Sequence, residues 1–193
     1  MTNDEALRIE TLSPAHAEDS DLMSAVTALI NEVYEVAEEG LWVPGTTRTS
    51  RQEVASLTQA EQITVARLHE EVVGCVRIQQ LAATVCEFGM LAAAPKRRGT
   101  GIGRELVRFA EQYGREAGLD VMQLELLVPR TWSHPSKEFL ADWYGRIGYR
   151  VVRTGSIDES YPELAPHLAT PCDFVIYQKS LGRRVERPGV ASK

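Results

Sequence analysis

The sequence lacks long apolar runs, paired cysteines and clustered histidines, and each absence excludes a class of protein. No part of its 193 residues approaches the ~18 consecutive apolar residues of a membrane span. The three cysteines stand far apart, and an odd number argues against a disulfide framework. The four histidines show no metal-ligand spacing. Because the acidic N-terminus also lacks the apolar core of a signal peptide, we expect a cytoplasmic protein with no membrane partner and no metal.

Positive charge is also scarce. The chain has 21 Lys and Arg residues against 27 Asp and Glu residues, which gives a net charge of −6. This balance disfavours nucleic acid as a partner, because binding to a phosphate backbone needs clustered cations. It favours a small cationic substrate through electrostatic steering. Solubility alone explains charges this scattered equally well.

The periodicity of apolar residues predicts one domain over residues 7–181, and the 44% of hydrophobic residues suffice for its core. The predicted order is β-α-α-β-β-β-α-β-α-β-β. It indicates an α+β fold with a mixed, mostly antiparallel twisted sheet of six to seven strands and about four helices. The polar residues 182–193 are predicted to form a disordered tail. The strands are expected at 7–12, 63–68, 72–81, 84–94, 121–128, 149–152 and 173–180, and the helices at 22–37, after Ser50, at 101–117 and after a cap at Ser136. The strands at 63–68, 72–81 and 84–94 are expected to form an antiparallel meander, and residues 153–171 a long loop.

One glycine-rich stretch, Arg97-Arg98-Gly99-Thr100-Gly101-Ile102-Gly103-Arg104, lies between a strand pattern and a helix pattern. Its glycines let backbone N–H groups approach a ligand without a Cβ in the way. The helix N-terminus behind them adds unpaired donors and positive dipole, so the stretch is suited to phosphate. A dinucleotide fingerprint needs glycine where Arg104 stands, and a Walker loop needs a terminal Gly-Lys-Ser/Thr that is absent. A nucleotide-binding or NAD-dependent fold is therefore disfavoured.

The spacing Arg98-x-x-Gly101-x-Gly103 resembles the acyl-CoA pyrophosphate loop of the GNAT family of N-acetyltransferases. A second match follows at Tyr144-x-x-x-Gly148-Tyr149, where the family has Tyr-x-x-x-Gly-Phe/Tyr. The resemblance runs from about residue 8 to residue 181. It implies the acyl-CoA N-acyltransferase fold with acetyl-CoA as co-substrate. It also implies direct attack of a primary amine on the thioester in a ternary complex.

The resemblance also implies roles for individual residues. Tyr144 would protonate the leaving thiolate. Backbone groups of Leu91 and Ala93 would pair with the pantetheine arm, and the Leu91 N–H would stabilise the oxyanion. Gly89 inside a strand marks a bulge where this strand leaves its neighbour. The cofactor-binding residues implied for the pyrophosphate are Arg98, Gly99, Thr100, Gly101, Ile102, Gly103 and Arg104.

The attacking amine needs a proton acceptor, because only about one part in a thousand of an ordinary amine is neutral at pH 7. Glu87, on the strand before the loop, is the preferred base, since some family members use a glutamate on this strand. Glu125 on the next strand is its rival, and water is the third option. The family often has an asparagine seven residues before the tyrosine. This chain has Lys137 there, and a lysine could instead reach a CoA phosphate.

The acceptor site is expected to come from the first helix pair and the late loop. Trp42, Glu39 and Trp132 are the preferred candidates, because loop aromatics often serve in binding. The other candidates are Glu38, Arg48, His134 and Tyr161. The sequence does not identify the amine, but a small molecule is expected. A non-catalytic CoA-binding or sensor module of the same fold is the alternative. The resemblance also allows a homodimer, since dimers are common in the family.

Overall fold

The computed structural model describes residues 6–182, and within that range it contains seven strands, four longer helices and one single-turn helix. This composition confirms the predicted α+β class. The strands are β1 (Arg8–Thr11), β2 (Ile63–Leu68), β3 (Glu71–Ala82), β4 (Val85–Ala93), β5 (Val121–Pro129), β6 (Arg150–Ser156) and β7 (Cys172–Ser180). The helices are α1 (Ser20–Ala37), α2 (Arg51–Gln59), α3 (Ile102–Glu116), α4 (Pro135–Arg146) and the short α5 (Ile157–Ser160).

The strands form one sheet in the order β1-β2-β3-β4-β5-β7-β6. Strands β2 to β4 pair antiparallel as the predicted meander, β1 pairs antiparallel with β2, and β5, β7 and β6 form a second antiparallel group. The two groups meet only where β4 runs parallel to β5, over Val85–Glu87 opposite 121–123. The sheet is therefore two antiparallel halves joined by three residue pairs.

A bulge in β4 bends this strand away from β5. Gly89 pairs with Arg77, and Ala92 pairs with Cys75. Two residues of β4, at positions 90 and 91, therefore lie opposite one residue of β3, at position 76. Met90 takes up the distortion with a φ of 48°, while Gly89 has no positive φ. Such a bulge increases the local twist. Beyond Glu87 the strands β4 and β5 no longer pair, and a V-shaped gap opens in the middle of the sheet.

The two faces of the sheet carry separate cores. Helices α1 and α2 cover one face, here called the α1 face, together with Cys75, Met90 and Ala92. Helices α3 and α4 cover the opposite face, here called the α3 face, with Phe88 and other apolar residues. Helix α3 packs so closely on β3 that a Cβ on Gly74 would lie only 2.7 Å from the Ile102 side chain. All three cysteines are buried and unpaired, as the sequence indicated.

Two local predictions were wrong. The expected loop 153–171 contains the second half of β6 and the helix α5. Helix α4 is capped by His134 instead of Ser136, with the Ser136 N–H donating to His134 Nδ1 at 3.2 Å. Pro135 explains the shift, because its fixed φ suits the first helical position.

No helix within residues 6–182 is long and apolar enough to cross a bilayer. The predicted tail lies outside the described residues apart from Gly182.

Candidate active site

The glycine-rich stretch forms the turn between β4 and α3. A short 3-10 turn at Pro95–Arg97 precedes it, and Thr100 closes it by donating from both its N–H and its hydroxyl to the Arg97 carbonyl. Gly99 and Gly101 have φ angles of 83° and 89°. These left-handed conformations favour glycine, so the two positions explain the glycines there.

The turn exposes a set of backbone donors. Within residues 6–182, the N–H groups of Gly99 and of residues 101–104 have no hydrogen-bond acceptor, and the first helical bond is made by Glu105. No side chain caps the helix. Arg98 and Arg104 are exposed beside these donors. Converging N–H groups, a helix dipole and two arginines suit a polyanion such as a pyrophosphate.

Tyr144 lies on the α3 face, next to the gap. It is 5% exposed and packs in an aromatic cluster with Phe88, Trp143, Tyr149 and Tyr177. Burial raises the pKa of the Tyr144 phenol, and its neighbours, Tyr34 among them, raise it further. Within residues 6–182 no buried polar side-chain atom lacks a hydrogen-bond partner, so the Tyr144 hydroxyl is not an orphaned donor. Burial and these neighbours keep the phenol protonated at neutral pH.

The glycine-rich turn and Tyr144 are linked through one side chain. A Cβ on Gly103 would lie 3.9 Å from the Trp143 ring, and that ring lies 5.1 Å from the Tyr144 ring between centroids. Tyr144 is in turn 6.1 Å from Phe88, which follows the last β4 residue paired with β5. The turn, the tyrosine and the apex of the gap are thus connected through packed side chains.

Glu87 is at the apex of the gap, on the face opposite Tyr144. It is the last β4 residue paired with β5, and its side chain points away from Phe88 because strand residues alternate. The carboxylate is 9% exposed and accepts hydrogen bonds from Gln79 Nε2 at 2.9 Å and Gln123 Nε2 at 3.1 Å. In the described part of the chain, no cation lies within 4.0 Å of it.

Glu125 is on the same face as Glu87, two residues beyond Gln123 on β5. Its Oε2 accepts from the Tyr161 hydroxyl at 2.8 Å. Burial raises the pKa of the Glu125 carboxyl, with the Tyr161 hydrogen bond opposing and the Glu87 charge adding to the rise. Burial and this same hydrogen bond raise the pKa of Tyr161 as well. Two carboxylates without a salt-bridge partner among residues 6–182 therefore face the same space.

The predicted acceptor-site residues come together where three loops meet. Trp42 forms a β-bridge with Leu168, so the loop after α1 is bonded to the loop before β7. The Trp132 Nε1–H donates to Thr170 at 3.3 Å, and its ring lies against Gly40. The Glu39 carbonyl is 3.1 Å from His134 Nε2. These loops form one connected wall beyond the gap.

Sequence reasoning missed a buried ion pair behind this wall. Lys137 Nζ lies 2.7 Å from Glu38 Oε1, and both side chains are almost fully buried. The second Glu38 oxygen accepts from the Trp42 indole at 2.6 Å. Lys137 is thus committed to Glu38 and is not available to a CoA phosphate. The only available signal was a lysine at a position where the family often has an asparagine.

In the described ranges, no group of three or more His, Cys, Asp or Glu residues could hold a metal ion.

The model of the acetyltransferase (GNAT) family matches residues 24–142, which is more than half of the chain. The chain therefore belongs to the GNAT acetyltransferase family. No curated protein matches it by sequence.

Solved structures share the fold at low sequence identity. PaiA N-acetyltransferase from Thermoplasma acidophilum, in complex with coenzyme A, is 16% identical with a TM-score of 0.66, over 91% of this chain and 99% of that one. YncA from Salmonella typhimurium, solved with acetyl-CoA, is 14% identical with a TM-score of 0.61, over 96% and 99%. N-acetylglutamate synthase from Neisseria gonorrhoeae, complexed with coenzyme A and N-acetyl-glutamate, is 17% identical with a TM-score of 0.61. That match covers 94% of this chain but only 36% of the synthase.

Proposed function

We propose that this protein transfers the acetyl group of acetyl-CoA to a primary amine by direct attack in a ternary complex. One observation carries the proposal: a gap in the sheet has the glycine-rich turn at its open end and Glu87 and Tyr144 on opposite faces of its apex. The pyrophosphate would bind the N–H groups and arginines of residues 98–104. The pantetheine arm would pair with the unpaired edge of β4 at Leu91 and Ala93.

The proposed chemistry uses both faces of the sheet. Glu87 removes a proton from the ammonium, directly or through water, and the neutral amine attacks the thioester carbonyl from the α1 face. The Leu91 N–H stabilises the oxyanion in the gap. Tyr144 then protonates the departing thiolate on the α3 face. The extra proton on the acylated nitrogen then reprotonates the Tyr144 phenolate, and the net reaction yields the N-acetylated amine, CoA thiol and one proton.

The acceptor is proposed to be a small cationic amine. Glu87 and Glu125 face the same space without a salt-bridge partner in the described chain, and a bound ammonium would supply the missing charge. Trp42, Glu39 and Trp132 are proposed to line the entrance, because the loops that carry them meet there. Glu125 remains the rival base, because burial raises the pKa of its carboxyl and so makes it a stronger proton acceptor.

The test is an acetylation screen. Purified protein is incubated with acetyl-CoA and a panel of small mono- and diamines, and release of the CoA thiol is measured. Binding of acetyl-CoA is measured separately by calorimetry. We expect thiol release above the hydrolysis background with at least one cationic amine. Tight acetyl-CoA binding with no turnover on any amine would favour the alternative, a non-catalytic CoA-binding module. Absence of binding would refute both.

Replacing Gly101 by alanine is expected to weaken CoA binding about tenfold. Gly101 has a φ of 89°, where a Cβ costs roughly 1–2 kcal/mol and the turn must shift away from the phosphate. Gly118→Ala is the matched control, because that glycine also has a positive φ, 74°, and open space but lies beyond the other end of α3. Both variants should lose similar stability in denaturant titrations. Equal loss of CoA affinity in both would contradict a role for the turn.

Replacing Tyr144 by phenylalanine is expected to lower kcat by roughly 10²-fold, since general acid catalysis contributes about that much. Acetyl-CoA affinity should change little, because the ring and its packing remain. Single-turnover thiol release measures the chemical step. Tyr177→Phe in the same aromatic cluster is the control, and it should stay within about threefold of wild type. An unchanged single-turnover rate in the Tyr144 variant would exclude its role as acid.

A further inference from the structure

Six polar side chains cross the sheet in one line on the α1 face, and the proposed base is in the middle of the line. Each neighbouring pair is bonded through side-chain atoms rather than through the backbone ladder. They come from the residue before β2 and from strands β3, β4, β5 and β7, and in spatial order they are Gln62, Arg77, Gln79, Glu87, Gln123 and Gln178.

The bonds run toward Glu87 from both sides. On one side, Arg77 Nη2 donates to Gln79 Oε1 at 2.6 Å, and Gln79 Nε2 donates to Glu87 Oε1 at 2.9 Å. Arg77 itself is anchored by its Nε–H, which donates to Gln62 Oε1 at 2.9 Å. On the other side, Gln178 Nε2 donates to Gln123 Oε1 at 2.8 Å, and Gln123 Nε2 donates to Glu87 Oε2 at 3.1 Å.

The two rows of side chains that reach Glu87 are here called the Arg77–Gln79 arm and the Gln123–Gln178 arm. They differ in whether their hydrogen bonds can reverse direction. Arginine has donors only, so the Arg77 arm must present the Gln79 oxygen to Arg77 and the Gln79 nitrogen to Glu87. The other arm consists of amides alone, and a glutamine amide donates from one end and accepts at the other. Rotating Gln123 and Gln178 by a half-turn about their terminal bonds therefore reverses that arm while keeping its hydrogen bonds.

We propose that the Arg77–Gln79 arm holds Glu87 Oε1 permanently as an acceptor, while the Gln123–Gln178 arm reverses when Glu87 Oε2 takes the amine proton. This inference rests on the proposed function. The ammonium N–H bond breaks, its electron pair stays on nitrogen, and the proton forms an O–H bond at Oε2. That O–H then donates to the Gln123 oxygen. Arg77, Gln79, Gln123 and Gln178 are positioning residues, since none of them is assigned a contact with the amine or thioester.

The NMR signals of the glutamine side-chain amides report directly whether the Gln123–Gln178 arm has reversed. The measurement is a proton–nitrogen correlation spectrum of ¹⁵N-labelled full-length protein at neutral pH, with signals assigned by their loss in Gln79→Leu, Gln123→Leu and Gln178→Leu. Glu87→Gln imitates the protonated carboxyl, because its new amide satisfies both arms only with oxygen toward Gln79 and nitrogen toward Gln123. We expect Glu87→Gln to shift the Gln123 and Gln178 side-chain signals strongly and those of Gln79 weakly. The control Glu125→Gln should shift none of the three.

A kinetic comparison provides the second readout. Removing the fixed donor with Gln79→Leu should lower kcat/KM for the amine roughly tenfold, the value of a hydrogen bond to a charged group. Gln123→Leu should cost about threefold, because its arm serves either protonation state. KM for acetyl-CoA should not change in either variant. Equal shifts of Gln79 and Gln123 in Glu87→Gln, or a larger kinetic loss in Gln123→Leu than in Gln79→Leu, would overturn the inference.

The two failures are distinguishable. If wild-type protein acetylates no amine, the proposed function fails, whereas the spectra of Glu87→Gln still test the asymmetry of the two arms. If wild-type protein is active and the spectra show no asymmetry, the inference alone fails.

Discussion

Glu87→Gln is expected to lower kcat/KM for the amine at neutral pH by about 10²- to 10⁴-fold, the usual contribution of a positioned base. The substitution keeps the shape of the side chain and can keep both of its hydrogen-bonded arms, so acetyl-CoA binding and thermal stability should remain close to wild type. What it removes is the ability to accept a proton. Steady-state kinetics with the best amine of the screen, together with acetyl-CoA calorimetry, measure both quantities.

Raising the pH distinguishes loss of a base from loss of structure. Without the base, the rate depends on amine that is already neutral, and that fraction rises tenfold per pH unit below a pKa of about 10.4. The Glu87→Gln rate should therefore approach the wild-type rate as pH increases. Glu125→Gln is the comparison, because this carboxylate faces the same space. A larger loss in Glu125→Gln than in Glu87→Gln would assign the base to Glu125, and a pH-independent deficit would contradict proton removal by Glu87.

Sequence reasoning predicted the features that depend on local signals. Apolar alternation located each strand within a few residues, and the meander followed from short connections between β2, β3 and β4. The turn between β4 and α3 was predicted because its glycines, arginines and helix start lie within eight consecutive residues. The bulge was predicted from Gly89, although the positive φ falls on Met90. In each case the causes of the structure are neighbours in sequence.

Features that depend on distant partners could not be predicted. Glu38 and Lys137 are separated by 99 positions, and nothing local marks either as half of a buried pair. Glu111 is buried in a helix because Tyr149 and Lys179 bond its carboxylate from other elements. The glutamine arms beside Glu87 depend on strand register, which the sequence does not specify. Burial of a polar group is decided by its partner, so it becomes predictable only once the topology is known.

The Glu38–Lys137 pair connects helices on opposite faces of the sheet. Glu38 follows α1, and Lys137 is in the first turn of α4, so their ion pair joins the two faces directly. One helical turn earlier on α1, Tyr34 contributes to the raised pKa of Tyr144, two turns later on α4. The pair therefore ties the loop after α1 to the helix that carries the proposed acid.

Lys137→Met is expected to destabilise the protein by about 3–5 kcal/mol, because it leaves the Glu38 carboxylate buried with the Trp42 indole as its remaining donor. Glu38→Gln should cost less, since its amide oxygen can still accept from the ammonium. The double variant should cost clearly less than the sum of the two, because it leaves no unpaired charge. Denaturant unfolding of the four proteins measures the coupling.

The control for this cycle is the Arg108–Glu105 pair on α3, which has a similar N···O distance of 2.6 Å but is largely exposed. Arg108→Met should cost no more than about 1 kcal/mol, because water solvates the carboxylate left behind. If Lys137→Met costs as little, the Glu38 carboxylate reaches water in solution and the pair does not hold α1 and α4 together. If it costs as much as expected, surviving Lys137→Met protein should also lose turnover with unchanged acetyl-CoA affinity. The loops and α4 would then no longer be held together around Tyr144.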